Sequence, residues 1–236
     1  MNEARAPGVF IAGTDTGVGK TRITVGLIRA LRAEGTRARG MKPVASGMIA
    51  RNGLFLNEDT YAIAALDSGR FSITDISPYC FDWAVSPHIA AERAGIVIEL
   101  GAISAAYARL GSASDFMVVE GTGGWLAPIS AQATMADVAR ELALPVVLVV
   151  GLRLGCLNHA LLSAQAIAQA GASLIGWIGS VLDPAMPALA ENLSTLRQRL
   201  PAPQLSLLPH ATDSARDCAW LAPAARALTA RALPLA

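Results

Sequence analysis

Gly13-Thr14-Asp15-Thr16-Gly17-Val18-Gly19-Lys20-Thr21 is the stretch on which the fold turns. The apolar run Val9-Phe10-Ile11-Ala12 precedes it, and apolar Ile23, Val25, Leu27, Ile28 and Leu31 follow at helical spacing. A buried strand, a glycine-rich turn and a helix opening with Lys-Thr together make an arrangement that holds a polyphosphate. Glycines let backbone N–H groups approach phosphate oxygens with no Cβ in the way. The helix N-terminus adds partial positive charge. Lys20 can reach the β- and γ-phosphates, and the Thr21 hydroxyl can ligate Mg²⁺. The commonest form of this loop has glycine where Thr14 stands; here Gly13 lies one residue earlier, which lengthens the loop by one.

The same alternation continues outward. Glu34-Gly35 closes the first helix, and Thr36 to Met41 reads as a second strand ended by Lys42-Pro43. Helical patterns are expected over 57–66, from Ile89, and over 95–110, 134–142, 157–170, 187–200 and 222–233. Strands are expected over 115–120, 145–150, 174–182 and 204–208, with 78–87 irregular. The central strands are apolar on both faces, which is the mark of a parallel sheet covered by helices on each side. No repeat or long linker divides the chain, so one α/β domain of the P-loop NTPase type is expected over residues 1–236. Ligands then belong at the carboxyl ends of the strands.

Composition narrows the function. At 236 residues with 53% hydrophobic content the chain can bury a large core, and a net charge of +1 gives no general attraction to nucleic acid. No apolar run is long enough to span a bilayer. The start Met1-Asn2-Glu3-Ala4-Arg5 does not read as a secretory signal. Cys80, Cys156 and Cys218 are far apart and odd in number, which suits a reducing, cytoplasmic setting and not a structural zinc site.

Several loops carry chemistry-bearing residues. Glu120 ends the apolar strand Asp115-Phe116-Met117-Val118-Val119-Glu120 and is followed by Gly121-Thr122-Gly123-Gly124. That is the usual place for an acidic residue that helps hold Mg²⁺, although a strand-end carboxylate also simply faces water. Lys42 stands before Pro43, which favours an extended backbone that would aim the ammonium towards the phosphate-loop edge, although taken alone it reads as a surface lysine before a turn. Asp59 is either a second carboxylate for the metal or, with Asn57, a helix cap. Gly155-Cys156-Leu157-Asn158-His159 opens a helix whose first free N–H groups suit a carboxylate, or is a simple loop with Asn158 as the cap. Ser86-Pro87-His88 reads as another helix entry, and Trp125 and Trp177 as core or interface residues.

Taken in order, the phosphate loop, Lys42-Pro43-Val44-Ala45-Ser46-Gly47, Ser86-Pro87-His88, Val119-Glu120-Gly121 with Gly123-Gly124-Trp125, and Gly155-Cys156-Leu157-Asn158-His159-Ala160 closely resemble the dethiobiotin synthetase family. The resemblance runs to about Pro209 and covers the longer first loop. It implies an ATP-dependent joining of CO₂ to 7,8-diaminopelargonate, closing the cyclic urea of dethiobiotin in biotin synthesis. It further implies Mg²⁺, a homodimer with the site at the subunit interface, and no nucleic-acid or membrane partner. Lys42 and Lys20 become the catalytic lysines, and Thr21, Asp59 and Glu120 the metal ligands. Thr16, Gly17, Val18, Gly19, Lys20, Thr21 and Arg22 hold the phosphates with Gly121, Thr122 and Gly123. Ser46 and Thr16 touch the substrate, while Gly155, Cys156, Leu157 and Asn158 of the partner subunit hold its distant carboxylate. Ser180, Pro209 and Asp213 fall at the base and ribose. Two departures stand out: Gly17 replaces a frequent acidic residue, and Ser180-Val181 replace a frequent Asn-Asp pair that reads adenine.

Two other readings fit less well. A related ATP-dependent amidase would need an ammonia source, and the chain has no room for a glutaminase domain. A nucleotide-switched positioning ATPase would begin the loop with an extra lysine and end in a basic or amphipathic tail. Thr14-Asp15 occupy that loop start, and the tail 222–236 carries only Arg226 and Arg231 as charges.

Overall fold

Residues 6–51, 54–67, 69–210 and 216–232 are described by a computed structural model. In chain order the elements are β1 (Gly8–Gly13), α1 (Lys20–Ala33), β2 (Ala38–Met41), β3 (Val44–Ser46), β4 (Ile49–Arg51), β5 (Leu54–Leu56), α2 (Glu58–Ala64), α3 (Ile73–Ile76), β6 (Tyr79–Phe81), α4 (Pro87–Ala94) and α5 (Leu100–Gly111). They continue with β7 (Phe116–Glu120), α6 (Met135–Glu141), β8 (Val146–Leu152), α7 (Cys156–Gln169), β9 (Leu174–Val181), α8 (Leu189–Arg199), β10 (Gln204–Leu208) and α9 (Asp217–Ala232).

Six strands form one sheet in the order β10-β9-β8-β1-β7-β2, and every pairing in it is parallel. The apolar runs explain this placement. Along β1, Phe10 and Ala12 enter one core while Val9 and Ile11 enter the other. Along β8, Val146, Leu148 and Val150 face the first core, and Val147 and Val149 the second. A strand with period-two alternation between two apolar layers has no polar face left, so its sequence is continuously hydrophobic. Each such valine or isoleucine contributes roughly 1.5–3 kcal/mol by leaving water. Helices α1 and α9 supply the second core, and α4 to α7 line the first. Trp125 and Trp177 are core residues, as their sequence setting suggests. No helix among the described residues is long and apolar enough to cross a membrane.

The main alternation matches the sequence reading, and the differences are local. The 78–87 region is not wholly irregular: β6 pairs in parallel with β3, so Val44, Ala45 and Ser46 form a short strand. β4 and β5 form a small antiparallel pair that the sequence does not announce. Helix α5 begins at Leu100, five residues later than expected, because Gly95 adopts φ 65° and closes α4 instead. Helix α9 begins earlier than expected, at Asp217, and accommodates Pro223. Asn57 does cap α2, accepting from the Thr60 N–H at 3.1 Å.

Candidate active site

The turn after β1 is built by two left-handed glycines, Gly17 at φ 72° and Gly19 at φ 90°. Gly19 needs its lack of a side chain twice over, since a Cβ there would meet Ser180 Oγ at 2.9 Å. A Cβ on Gly13 would lie 2.8 Å from Lys20 Nζ, because Lys20 curls back over the loop and donates to the Asp15 carbonyl at 2.9 Å. The loop start is tied to the neighbouring strand, with Thr14 N–H donating to Val149 O at 3.0 Å. Asp15 pairs with Arg153 at 2.6 Å. Val18 is buried in the second core, so it can meet a ligand through its backbone alone. The first-turn N–H groups of α1, which have no partner within the helix, face the loop opening.

Three separate segments converge on this edge. The Thr21 hydroxyl reaches Asp59 Oδ1 at 2.6 Å and Glu120 Oε1 at 2.7 Å. Lys42 Nζ lies 2.8 Å from Asp59 Oδ2 and 2.6 Å from Glu120 Oε1. Lys42 and Glu120 are both buried, whereas Asp59 is partly exposed. Burial works against the Lys42 charge, but the Glu120 and Asp59 carboxylates more than offset it and hold its pKa above the ordinary lysine value. Burial likewise raises Asp59, yet Lys42 and the Thr21 hydroxyl outweigh it and leave the carboxyl more acidic than usual. Lys20 goes the other way: burial, helped by the nearby Lys42 charge, brings it down to about 8.

Around these groups lies a cleft of about 840 Å³. Thr16, Gly17, Gly19, Lys20, Thr21, Arg22, Lys42, Ser46, Asp59, Glu120, Thr122 and Gly123 line it. Gly121 sits just behind, its carbonyl 3.5 Å from Lys42 Nζ. The Thr122 hydroxyl donates to Val44 O, which fixes the turn after β7 against β3. Ser46 donates to Val85 O at 2.8 Å, so the loop before α4 closes the far wall.

Sequence reasoning missed part of that wall. Ala84, Val85, Ser86 and Pro87, and Ala127 and Pro128, also line the cleft. Only Ser86-Pro87 carried a signal, as a helix entry. Other expected residues lie outside this chain's cleft. Ser180 is buried behind Gly19. Pro209 follows β10, and its carbonyl is engaged by Arg22. Asp213 lies outside the described residues. The turn at Gly155, Cys156, Leu157 and Asn158 opens α7 away from the cleft lining, with Gly155 at φ 93°. There Cys156 N–H turns back to Arg153 O at 3.0 Å, and Leu157 and Asn158 carry the free first-turn donors.

The donor set suits a hard divalent cation. Thr21, Asp59 and Glu120 offer oxygen ligands alone, and Glu120 Oε2 is buried without a hydrogen-bond partner, an acceptor left over for an ion. Among the described residues no three His, Cys, Asp or Glu side chains converge. Two carboxylates and a hydroxyl completed by phosphate oxygens and water is how Mg²⁺ is commonly bound.

A phosphate loop on the central strand of a parallel sheet, with an acidic strand end beside it, defines a nucleotide-binding α/β protein of the P-loop NTPase class. A family model described as an AAA domain matches residues 7–217. Among solved structures, the MinD cell division protein of Aquifex aeolicus covers 98% of this chain and 100% of its own at TM-score 0.58 and 16% identity. A ParA family ATPase from Chlorobium tepidum covers 99% and 100% at TM-score 0.55 and 17% identity. At such identities these likenesses establish the fold alone.

Curated relatives go further. The ATP-dependent dethiobiotin synthetase BioD of Aromatoleum aromaticum is 47% identical over 210 residues, 89% of this chain and 92% of that protein. The enzyme of the same name from Xylella fastidiosa is 48% identical over 201 residues, 85% and 89% of the two chains. The one from Pseudomonas paraeruginosa is 44% identical over 209 residues, 88% and 92%. The chain belongs to the family of ATP-dependent dethiobiotin synthetases, which are ligases.

Proposed function

We propose that this protein uses ATP and Mg²⁺ to carboxylate 7,8-diaminopelargonate with CO₂ and to close the ureido ring of dethiobiotin, in the cytoplasm, as a homodimer in biotin synthesis. The observation that carries this reading is the meeting of Lys20, Lys42, Thr21, Asp59 and Glu120 at one cleft. One amine of the substrate captures CO₂ as a carbamate. The carbamate oxygen attacks the γ-phosphorus, the bond to the β-bridging oxygen breaks, and ADP leaves. The second amine then attacks the carbonyl of the carbamic–phosphoric anhydride, phosphate departs, and the ring closes.

Carbamate, γ-phosphate and β-phosphate must come together in the first step, so the barrier is largely electrostatic. Lys20 and the loop N–H groups take the phosphate charge, and Lys42 is placed to take the carbamate and the transferring group. Bound at Thr21, Asp59 and Glu120, the divalent ion supplies neutralisation of phosphate charge. Thr16 and Ser46 hold the substrate in line for attack, so geometry supplies much of the rate. No protein nucleophile is required, and no covalent enzyme intermediate forms.

A homodimer accounts for the turn Gly155 to Asn158. It presents free N–H donors outside its own cleft, next to Leu154 at 96% exposure and Leu162 at 56%. Apolar side chains flanking an anion-binding turn suit contact with a second subunit, whose cleft would then receive the substrate carboxylate. The test is direct: purified protein, diaminopelargonate, bicarbonate, Mg²⁺ and ATP, with mass spectrometry for the cyclic urea. Absence of that product under conditions where ATP binds would refute the assignment.

A further inference from the structure

The amino end of the outer strand β2 borders a second polar cavity. It lies where the end of α1, the start of β2 and the segments after α2 and α5 meet, and it measures about 650 Å³. Arg32, Arg37, Arg39, Asp67, Arg70 and Ala113 wall it. Arg39 stands three residues before Lys42, so about 10 Å of strand separates this cavity from the cleft.

Most of the donors here are engaged. Arg37 is matched by Asp115, Nη2 to Oδ1 at 2.5 Å. Arg32 donates to the Ala38 and Leu66 carbonyls and to Asp67 Oδ1 at 2.6 Å. Arg39 is different. It is only 7% exposed, its Cζ lies 4.5 Å over the Phe71 ring, and Nε donates to Ala113 O at 3.2 Å. Its Nη1 is 2.9 Å from Asp67 Oδ1, the oxygen that Arg32 already occupies, and makes no directed hydrogen bond. A buried donor left without an acceptor is costly, and folded proteins usually satisfy it with water or an ion. Arg70 is exposed, with no side-chain partner among the described residues. Arg32, Arg39 and Arg70 therefore share the one carboxylate of Asp67, an excess of two positive charges at one cavity.

We propose that this cavity is an anion site, separate from the nucleotide cleft, that takes the phosphate group of a small phosphomonoester on Arg39 and Arg70. A phosphate dianion balances the excess charge, and planar guanidinium groups match its oxygens. Inorganic phosphate shares that chemistry, but the cavity is of the size that encloses a small organic molecule, which favours the ester.

The test is titration calorimetry of the full chain at constant ionic strength, with Mg²⁺ and a saturating non-hydrolysable ATP analogue so that the cleft is filled. Glycerol 3-phosphate and inorganic phosphate are the probes. Wild type should bind one glycerol 3-phosphate per chain, more tightly than inorganic phosphate; equal or tighter binding of inorganic phosphate would assign the same site to the free ion. Arg70→Ala, an exposed change, should weaken the preferred probe by about tenfold, the scale of one hydrogen bond to a charged group. Arg39→Lys keeps the charge and loses the fork, and should weaken it by a similar factor. Both variants should bind the ATP analogue as wild type does. No binding of either probe to wild type, or binding that either variant leaves unchanged, would overturn the proposal. So would loss of affinity for the ATP analogue in step with the probe, because the probe would then be reading the cleft.

Discussion

Replacing Lys42 by methionine keeps most of the apolar stem and removes one charge from a buried ion pair. Lys42 Nζ is 2.6 Å from Glu120 Oε1, and neither side chain is more than 3% exposed. Glu120 would keep the Thr21 hydroxyl at 2.7 Å as its partner, with no cation within the first layer of contacts. Stranding a buried charge in this way costs about 3–5 kcal/mol, or a fall in Tm of roughly 6–20 °C at 2–4 °C per kcal/mol for a domain of this size. Urea unfolding in the presence of EDTA measures the loss without interference from divalent ions. Adding Glu120→Gln removes the stranded charge, so the double variant should recover most of the stability. Neither variant should turn over at more than about a hundredth of the wild-type rate, the scale of losing one preorganised charge at the reacting group. If Lys42→Met is within about 1 kcal/mol of wild type, or if the two changes simply add, the buried pair is not what holds this edge of the sheet together. The reasoning from Lys42 to the reacting carbamate then fails with it.

Lys20, lowered to about 8 by burial and by the Lys42 charge, should give ATP affinity a pH dependence: full below about 8, where the ammonium is present in the free protein, and falling as pH rises through that value. A dissociation constant for ATP that stays flat from neutral pH into the alkaline range would remove the charge assignment. Gly19→Ala should cost about 1–3 kcal/mol of nucleotide affinity and stability, since Gly19 is at φ 90° and the new Cβ would meet Ser180 Oγ; unchanged ATP binding in calorimetry would show that the loop relaxes freely. Mixing inactive Lys42→Met with inactive Asn158→Asp protein should restore up to about a quarter of wild-type activity by forming hybrid dimers with one intact site, and no recovery after subunit exchange would argue against a site shared between chains.

The phosphate loop could be read from sequence because its chemistry is local: strand, glycines, lysine and threonine are contiguous, and each is needed for a reason visible in the residue itself. Glu120 is partly legible, since a carboxylate ending a buried apolar strand and followed by Gly121-Thr122-Gly123-Gly124 either faces water or serves a ligand at the strand ends. Lys42 and Asp59 were ambiguous because their partners lie 78 and 38 residues away, at Glu120 and Thr21, and nothing local distinguishes them from a surface lysine and a helix cap. The Arg22–Asp217 fork spans 195 residues and left no trace. Short strands such as β3 and β6 are too brief for periodicity to register, and the late start of α5 depends on where Gly95 takes positive φ.

Sheet order supplies the last step. Strands β1, β7 and β2 are neighbours, and their carboxyl ends deliver Lys20 with Thr21, Glu120 and Lys42 in that sequence across about 10 Å, two strand spacings. On the other flank, β9 carries Ser180 next to its last residue, Val181, and β10 ends at Leu208, just before Pro209, whose carbonyl accepts from Arg22. The reaction proposed above needs its groups in the same linear order: base, then phosphates, then the transferring phosphoryl group, then the acceptor. For the proposed reaction laid on this edge, the base would fall over β9 and β10, the phosphates over β1, the γ-phosphate beside Glu120, and the carbamate under Lys42. In the proposed reaction the loop after β1 would hold the phosphates, and Lys42, just past the outer strand β2, would hold the carbamate that replaces water as the phosphoryl acceptor. A nucleotide complex in which the base lay towards β2 would invert that order and leave Lys42 with no acceptor to serve.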